Sequence, residues 1–194
     1  MKSIVLPLSE VGVLVQGLTY KRYVDPDAPS VRLLQVTDLD NLQPQSNTGR
    51  SEHLDLRKNR DALVRPGQVL IAMRTNDIKT AVVPAKLDNA VATNGLTVLT
   101  VDPAIADPHF MAGLLRSQAM RTYLAPLFSG QTVQGISLSK FRNVKITLPP
   151  LKRQVAYAAA FAAQDTYRNA VESVIALQTE ALEMRLSTLI PVGL

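Results

Sequence analysis

The chain of 194 residues contains no cysteine, which excludes disulfides, zinc–thiolate centres and thiolate-held iron–sulfur clusters. A cysteine-free composition fits a reducing, cytoplasmic setting. Histidine is scarce: His53 lies in a polar loop and His109 in the first turn of an expected helix, neither with Asp or Glu at metal-ligand spacing. Both are read as structural or solvated. There is no Gly-rich phosphate loop, no G-x-S-x-G elbow and no recognisable pair of carboxylates. The Asn/Asp-Pro-Pro-Tyr/Phe tetrapeptide of amino-methyltransferases is missing, since "LPPL" has neither the amide nor the aromatic that chemistry requires. "PSVRLLQVTD" lacks the Asp/Glu-x-Lys spacing of a nuclease. The expectation is a chain that is not an enzyme by itself. No apolar run reaches 18 residues, so no membrane span is expected. "MKSIVLPLSE", with one Lys and an apolar run broken by Pro7, reads as neither signal peptide nor anchor.

What is present is a basic excess with a location. Lys and Arg number 21 against 16 Asp and Glu, a net charge of +5. Residues 151–194 hold four of each sign, so the whole excess belongs to residues 1–150. That part is the candidate for a polyanionic partner.

Residues 1–100 read as short β-branched strands: "IVLPL", "VGVLV", "SVRLLQVTDL", "GQVLIAM", "TAVVPA" and "AVATNGLTVLTV". Asp-Pro, Pro-Gly, Asp-Asn and Asn-Gly signals separate them, which favours antiparallel or barrel-like sheet over a doubly wound one. Pro66-Gly67 predicts a tight turn into a buried strand. "DNLQPQSNTGRSEHLDLRKNRD" is an expected surface loop with short ordered pieces. "DPHFMAGLLRSQAMRTYLAPLF" has a capping Asp107, Pro108 at the first helical position and helical apolar spacing, and predicts one helix ended by Pro126.

After Pro149-Pro150 no Gly or Pro occurs until Pro191. Val171, Ile175, Leu182, Leu186 and Leu189 step along one face, broadened by Val174, Ala181 and Met184, which predicts one amphipathic helix over 151–190. A helix that long cannot pack wholly on a domain of 150 residues. It wants a partner helix, with Val171, Val174, Ile175, Leu182, Leu186 and Leu189 as the dimerisation set. The alternative is a helix folded back on its own sheet, which the Ala-rich start allows for its first turns.

Two polar clusters are candidates for reading DNA. Between Arg50 and Lys79 lie Arg57, Lys58, Arg60, Arg65 and Arg74, the last opening "RTND" with Thr75 and Asn76; Arg32 precedes them. In "FSGQTVQGISLSKFRNVKITLPPLKR" lie Gln131, Thr132, Gln134, Lys140, Arg142 and Lys145. Arg reads guanine, and Asn or Gln reads adenine, by paired hydrogen bonds in the major groove, while Lys, Ser and Thr hold phosphates. The DNA-binding set is thus Arg32, Arg50, Lys58, Arg74, Thr75, Asn76, Lys79, Gln131, Thr132, Gln134, Lys140 and Arg142. The competing reading is that loops are polar anyway, with Glu52, Asp55, Asp61 and Asp77 pairing with the first cluster. "SGQTVQG" is read as a flexible loop, "ISLSKFRNVKI" as the strand positioning it, and "LPPL" as the break that ends the sheet.

In order, "LSEVGVLVQG", "VRLLQVTDL", "LVRPGQVLIAM", the helix with Leu114-Leu115 and Ser117, and "SGQTVQGISLSKFRNVKITLPPL" before Gln154 resemble one half of the specificity subunit of type I restriction–modification enzymes. The resemblance implies an α+β fold, with a mixed target-recognition domain over 1–150 and a spacer and dimerisation helix over 151–194. It implies a non-catalytic subunit that reads double-stranded DNA and directs an adenine-N6 methyltransferase. S-adenosylmethionine would lie on that partner and no cofactor on this chain, and a restriction motor subunit could join. The family usually carries two recognition domains, so the chain is read either as a half-subunit that homodimerises or as a fragment. Gln68 stands where the family usually has Asp, and Arg153 where it usually has an acidic residue. From another class, an adaptor whose helix and basic loops bind proteins fits the same composition.

Overall fold

The Pro66-Gly67 turn forms as its residues dictate. Gln68 N–H returns to Arg65 O at 3.2 Å while Gly67 takes φ +82°, the type II geometry that favours Pro then Gly. The Gln68 side chain accepts from Arg65 N–H at 2.7 Å and donates to Thr100 Oγ1 at 2.8 Å. The Gln68 side chain thus closes the turn on one side and ties it to the strand Leu96–Val101 on the other.

The computed structural model describes residues 2–40, 49–57, 59–73, 78–129 and 135–187. In chain order these form β1 (Ile4–Pro7), α1 (Leu8–Val11), β2 (Gly12–Gln16), β3 (Ser30–Leu34), β4 (Arg50–His53), β5 (Val69–Ala72), β6 (Lys79–Val82), β7 (Ala90–Ala92) and β8 (Leu96–Val101). There follow α2 (Pro108–Arg116), α3 (Gln118–Leu124), α4 (Leu138–Arg142), β9 (Lys145–Leu148) and the long α5 (Leu151–Ser187). The class is α+β, as expected. The strands form sheets ordered β1-β9, β2-β8-β5-β6 and β4-β3-β7. Among these strands all pairings are antiparallel except β3 with β7.

Alternation along the strands divides the core. Leu14, Leu99, Val69 and Val82 lie opposite one another across the four-stranded sheet and face a core with Phe110, Met111, Leu115, Phe141 and Ile146. The next row, Val15, Val98, Leu70 and Ala81, points the other way, where Leu70 and Ala81 pack on Leu34, Leu39, Leu87 and Leu96. One residue of slip would exchange these faces, so apolar alternation holds the register.

Two expectations need correction. The segment 107–126 is not one helix. Ser117 is extended, at φ −63° and ψ 151°, and its hydroxyl bonds Leu114 O at 2.7 Å and accepts from Met120 N–H at 3.2 Å. One serine thus closes α2 and caps α3. Asp107 caps α2 as expected, accepting from Phe110 N–H at 2.8 Å, with Pro108 in its first turn. Nor is "ISLSKFRNVKI" a strand throughout: residues 138–142 are α4, capped by Ser137, and only β9 pairs, with β1. Burying Phe141 entirely draws that turn onto the core.

The double proline is where sheet becomes helix. β9 ends at Leu148 and α5 starts at Leu151. Gln154, 1% exposed, clasps the junction: its Oε1 accepts from Asp107 N–H at 2.9 Å, and its Nε2 donates to Ile105 O at 3.0 Å and Pro149 O at 2.8 Å. One turn further, Tyr157 meets the Phe110 ring at 6.1 Å. Gly113 then allows close approach, since a Cβ there would lie 2.1 Å from the Phe161 ring. From Val171 to Ser187 every residue of α5 is exposed. The two sequence readings of the helix thus divide it: its first turns dock on the domain and the rest projects. Among the described residues no helix is long and apolar enough to cross a membrane.

Candidate nucleic-acid interface

Several candidate residues lie outside the described ones: Lys58, Arg74, Thr75, Asn76, Gln131, Thr132, Gln134 and, on the dimerisation side, Leu189. Two of these segments, 74–77 and 130–134, are flanked by described residues. Ser129 and Gly135 exchange two hydrogen bonds of 3.0 Å across 130–134. Ile136 N–H donates to Met73 O at 3.0 Å, so the residue before 74–77 is bonded to one just after 130–134. Met73, Ile78 and Ile136 are all buried in the first core. Thr80 follows on β6, fully buried, with its hydroxyl on Ala112 O at 2.7 Å. The described residues that flank these two polar segments, some 55 residues apart in sequence, are therefore joined by a hydrogen bond and share the first core.

The other candidates fall elsewhere. Arg32 and Arg50 sit on the three-stranded sheet, where Arg50 pairs with Glu52 at 3.2 Å and reaches the Tyr20 hydroxyl at 3.4 Å. Arg57 pairs with Asp55 at 2.7 Å and Arg65 with Asp61 at 3.8 Å. The hydrogen bonds that Arg57 donates to the Asp55 carboxylate, backed by the charges of Asp55 and Asp25, hold its guanidinium pKa above the ordinary value. Glu52, Asp55 and Asp61 thus pair with Arg50, Arg57 and Arg65, as the competing reading of the sequence had it, while its fourth carboxylate, Asp77, lies outside the described residues. Lys79 is also engaged, at 2.6 Å from Asp40.

Lys140 and Arg142 ride on α4 instead of a strand. Arg142 donates to Leu14 O at 2.8 Å, satisfying a carbonyl on the outer edge of β2, so it caps the sheet as well as adding charge. Lys140 is exposed. On α5, Val171, Val174, Ile175, Leu182 and Leu186 are 38–56% exposed. A solvent-facing stripe of that kind is costly in a lone chain.

A second feature, not legible in the sequence as a unit, is a charged junction where α5 meets the domain. Arg116 on α2 reaches Asp165 on α5 at 3.4 Å and also donates to Leu39 O at 2.8 Å and to Asp40 O. Arg168 bonds Asp165 and Asp40 O, the latter at 3.2 Å. Only the spacing of Asp165, Arg168 and Glu172 along the helix was legible beforehand; Arg116 and Asp40 are remote in sequence.

Residues 30–178 match the family described as type I restriction modification DNA specificity domain. Among solved structures, the chain is similar to one from a type I R-M system described for its complex assembly and conformational transition, at 25% identity and TM-score 0.63, covering 95% of this chain and 43% of that one. It is similar to the HsdS subunit from Thermoanaerobacter tengcongensis at 21% identity and TM-score 0.65, covering 96% and 48%. A type I restriction-modification system S subunit from M. genitalium shares the fold at 15% identity and TM-score 0.56, covering 92% and 43%. The chain spans less than half the length of each of these three. No curated protein matches it.

Proposed function

The chain belongs to the family of type I restriction modification DNA specificity domains, and from that premise we propose that it reads one half-site of duplex DNA for an adenine-N6 methyltransferase. The observation that carries this reading is the Met73–Ile136 bond, which joins the roots of the two segments rich in base-reading side chains. Residues 1–150 act as the recognition domain and α5 as the spacer. S-adenosylmethionine binds the methyltransferase partner, and a motor subunit completes a restricting complex. The exposed stripe of α5 pairs with the same stripe of a second copy, giving a two-fold pair of recognition domains and a palindromic, bipartite target.

Selection of bound sequences from a random DNA library tests the first part. Arg74→Ala or Gln131→Ala is expected to weaken or relax recognition at one base position by about 1–3 kcal/mol. Unchanged selectivity in both variants removes those two assignments. Binding is also expected to fall steeply between low and moderate salt; a flat salt response favours the adaptor reading, in which the partner is a protein. For the second part, the parent chain sediments as a dimer and Val171→Glu or Ile175→Glu as a monomer. A monomeric parent removes the symmetric pairing.

A further inference from the structure

Of the residues of α5, Gln154 alone is buried, while Ala158 and Phe161 pack on the first core in part. Beyond Phe161 the helix touches the domain through charge. Asp165 and Arg116 are 11% and 12% exposed at their side chains, and Arg168 shares the Asp165 carboxylate. Both arginines grip the carbonyl of Asp40, whose carboxylate holds Lys79 of β6. The 3-10 turn ahead of Asp40, Val36–Leu39, is itself closed by a reciprocal capping box between Gln35 and Asp38. The anchor is therefore stiff, and its bonds to charged groups are of the stronger kind.

From this geometry we propose that Arg116, Asp165 and Arg168 are positioning residues that set the bearing of α5 on the recognition domain, and with it the separation of two half-sites. The second clause rests on the function proposed above. A rod held near one end pivots; a second hold fixes its direction. Gln154 and Asp165 stand about 16 Å apart along the axis, and the helix runs about 28 Å beyond Arg168. A 10° change of bearing moves the far end by about 5 Å. That exceeds the rise of about 3.4 Å per base pair, so loosening the junction blurs the spacing the two domains select.

The chain has no cysteine, so spin labels attach only where they are introduced. Labels at Lys86→Cys and Glu183→Cys, both exposed, in copies diluted with unlabelled chain, report the distance between body and helix by double electron–electron resonance. The parent gives one narrow distribution. Asp165→Asn and Arg116→Met at least double its width in samples held well below each variant's own thermal midpoint. Arg168→Gln, at a more exposed site, gives the same broadening if either of the others fails to fold. Unchanged widths in the folded variants overturn the proposal. On DNA libraries with variable spacing between half-sites, the same variants accept neighbouring spacings at several-fold higher frequency while base preferences within each half-site persist. If the widths broaden but the parent selects no DNA at all, the proposed function fails and the positioning role stands. If the widths broaden and spacing selectivity stays sharp, the link to half-site separation falls.

Discussion

Replacing Gln154 by Leu keeps most of the side-chain volume and removes all three hydrogen bonds at the base of α5. The change strands Asp107 N–H, Ile105 O and Pro149 O, of which the first also begins the capped turn of α2. A buried polar group left without a partner costs about 1–3 kcal/mol, so three of them sum to several kcal/mol. Pro149 is half-buried and can recover water, which lowers the expected loss to roughly 3–4 kcal/mol. For a chain of this size that corresponds to a fall of roughly 6–16 °C in thermal midpoint. Urea unfolding followed by far-ultraviolet circular dichroism measures it directly, at one fixed protein concentration because association also contributes. Gln164→Leu, on an exposed position of the same helix, serves as control and is expected to stay within about 0.5 kcal/mol of the parent. Gln154→Glu keeps the acceptor for Asp107 N–H but turns oxygen toward two carbonyls, so it is expected to be at least as damaging. If Gln154→Leu unfolds within about 0.5 kcal/mol of the parent, the clasp contributes nothing and the reasoning is refuted.

Gly113→Ala puts a methyl group 2.1 Å from the Phe161 ring and is expected to cost about 1–3 kcal/mol by overpacking, with part recovered in the double variant carrying Phe161→Leu; denaturant midpoints decide. Arg142→Ala is expected to lose about 1–2 kcal/mol of stability with its bond to Leu14 O. Lys140→Ala is expected to leave stability unchanged and to lower the salt slope of DNA binding by about one; a reversal of these two outcomes exchanges their roles.

Much of the architecture was legible because its causes are local. The Pro66-Gly67 turn, the Asp107 cap with Pro108, and the Pro149-Pro150 break each depend on neighbouring residues whose conformational preferences are strong. The long helix was legible for the same reason, as forty residues without Gly or Pro leave few alternatives. What escaped was decided by distant partners. Ser117 breaks a pattern that propensity alone would continue, and "LSKFR" winds into α4 because Phe141 is drawn into the core. The sequence also offered Lys79 and Arg142 as contacts for DNA, and tertiary structure gave them partners of their own in Asp40 and Leu14 O.

By itself, then, the sequence determined an α+β chain whose basic part precedes one long amphipathic helix, because charge, turn residues and period are written in adjacent positions. Only the tertiary structure decided that residues 73 and 136 bond, that Gln154 ties α5 to residues 105 and 107, and that Arg116 and Arg168 meet at Asp40. Those contacts join residues tens of positions apart. Their free energy arises when the core brings them together, and no local pattern encodes it.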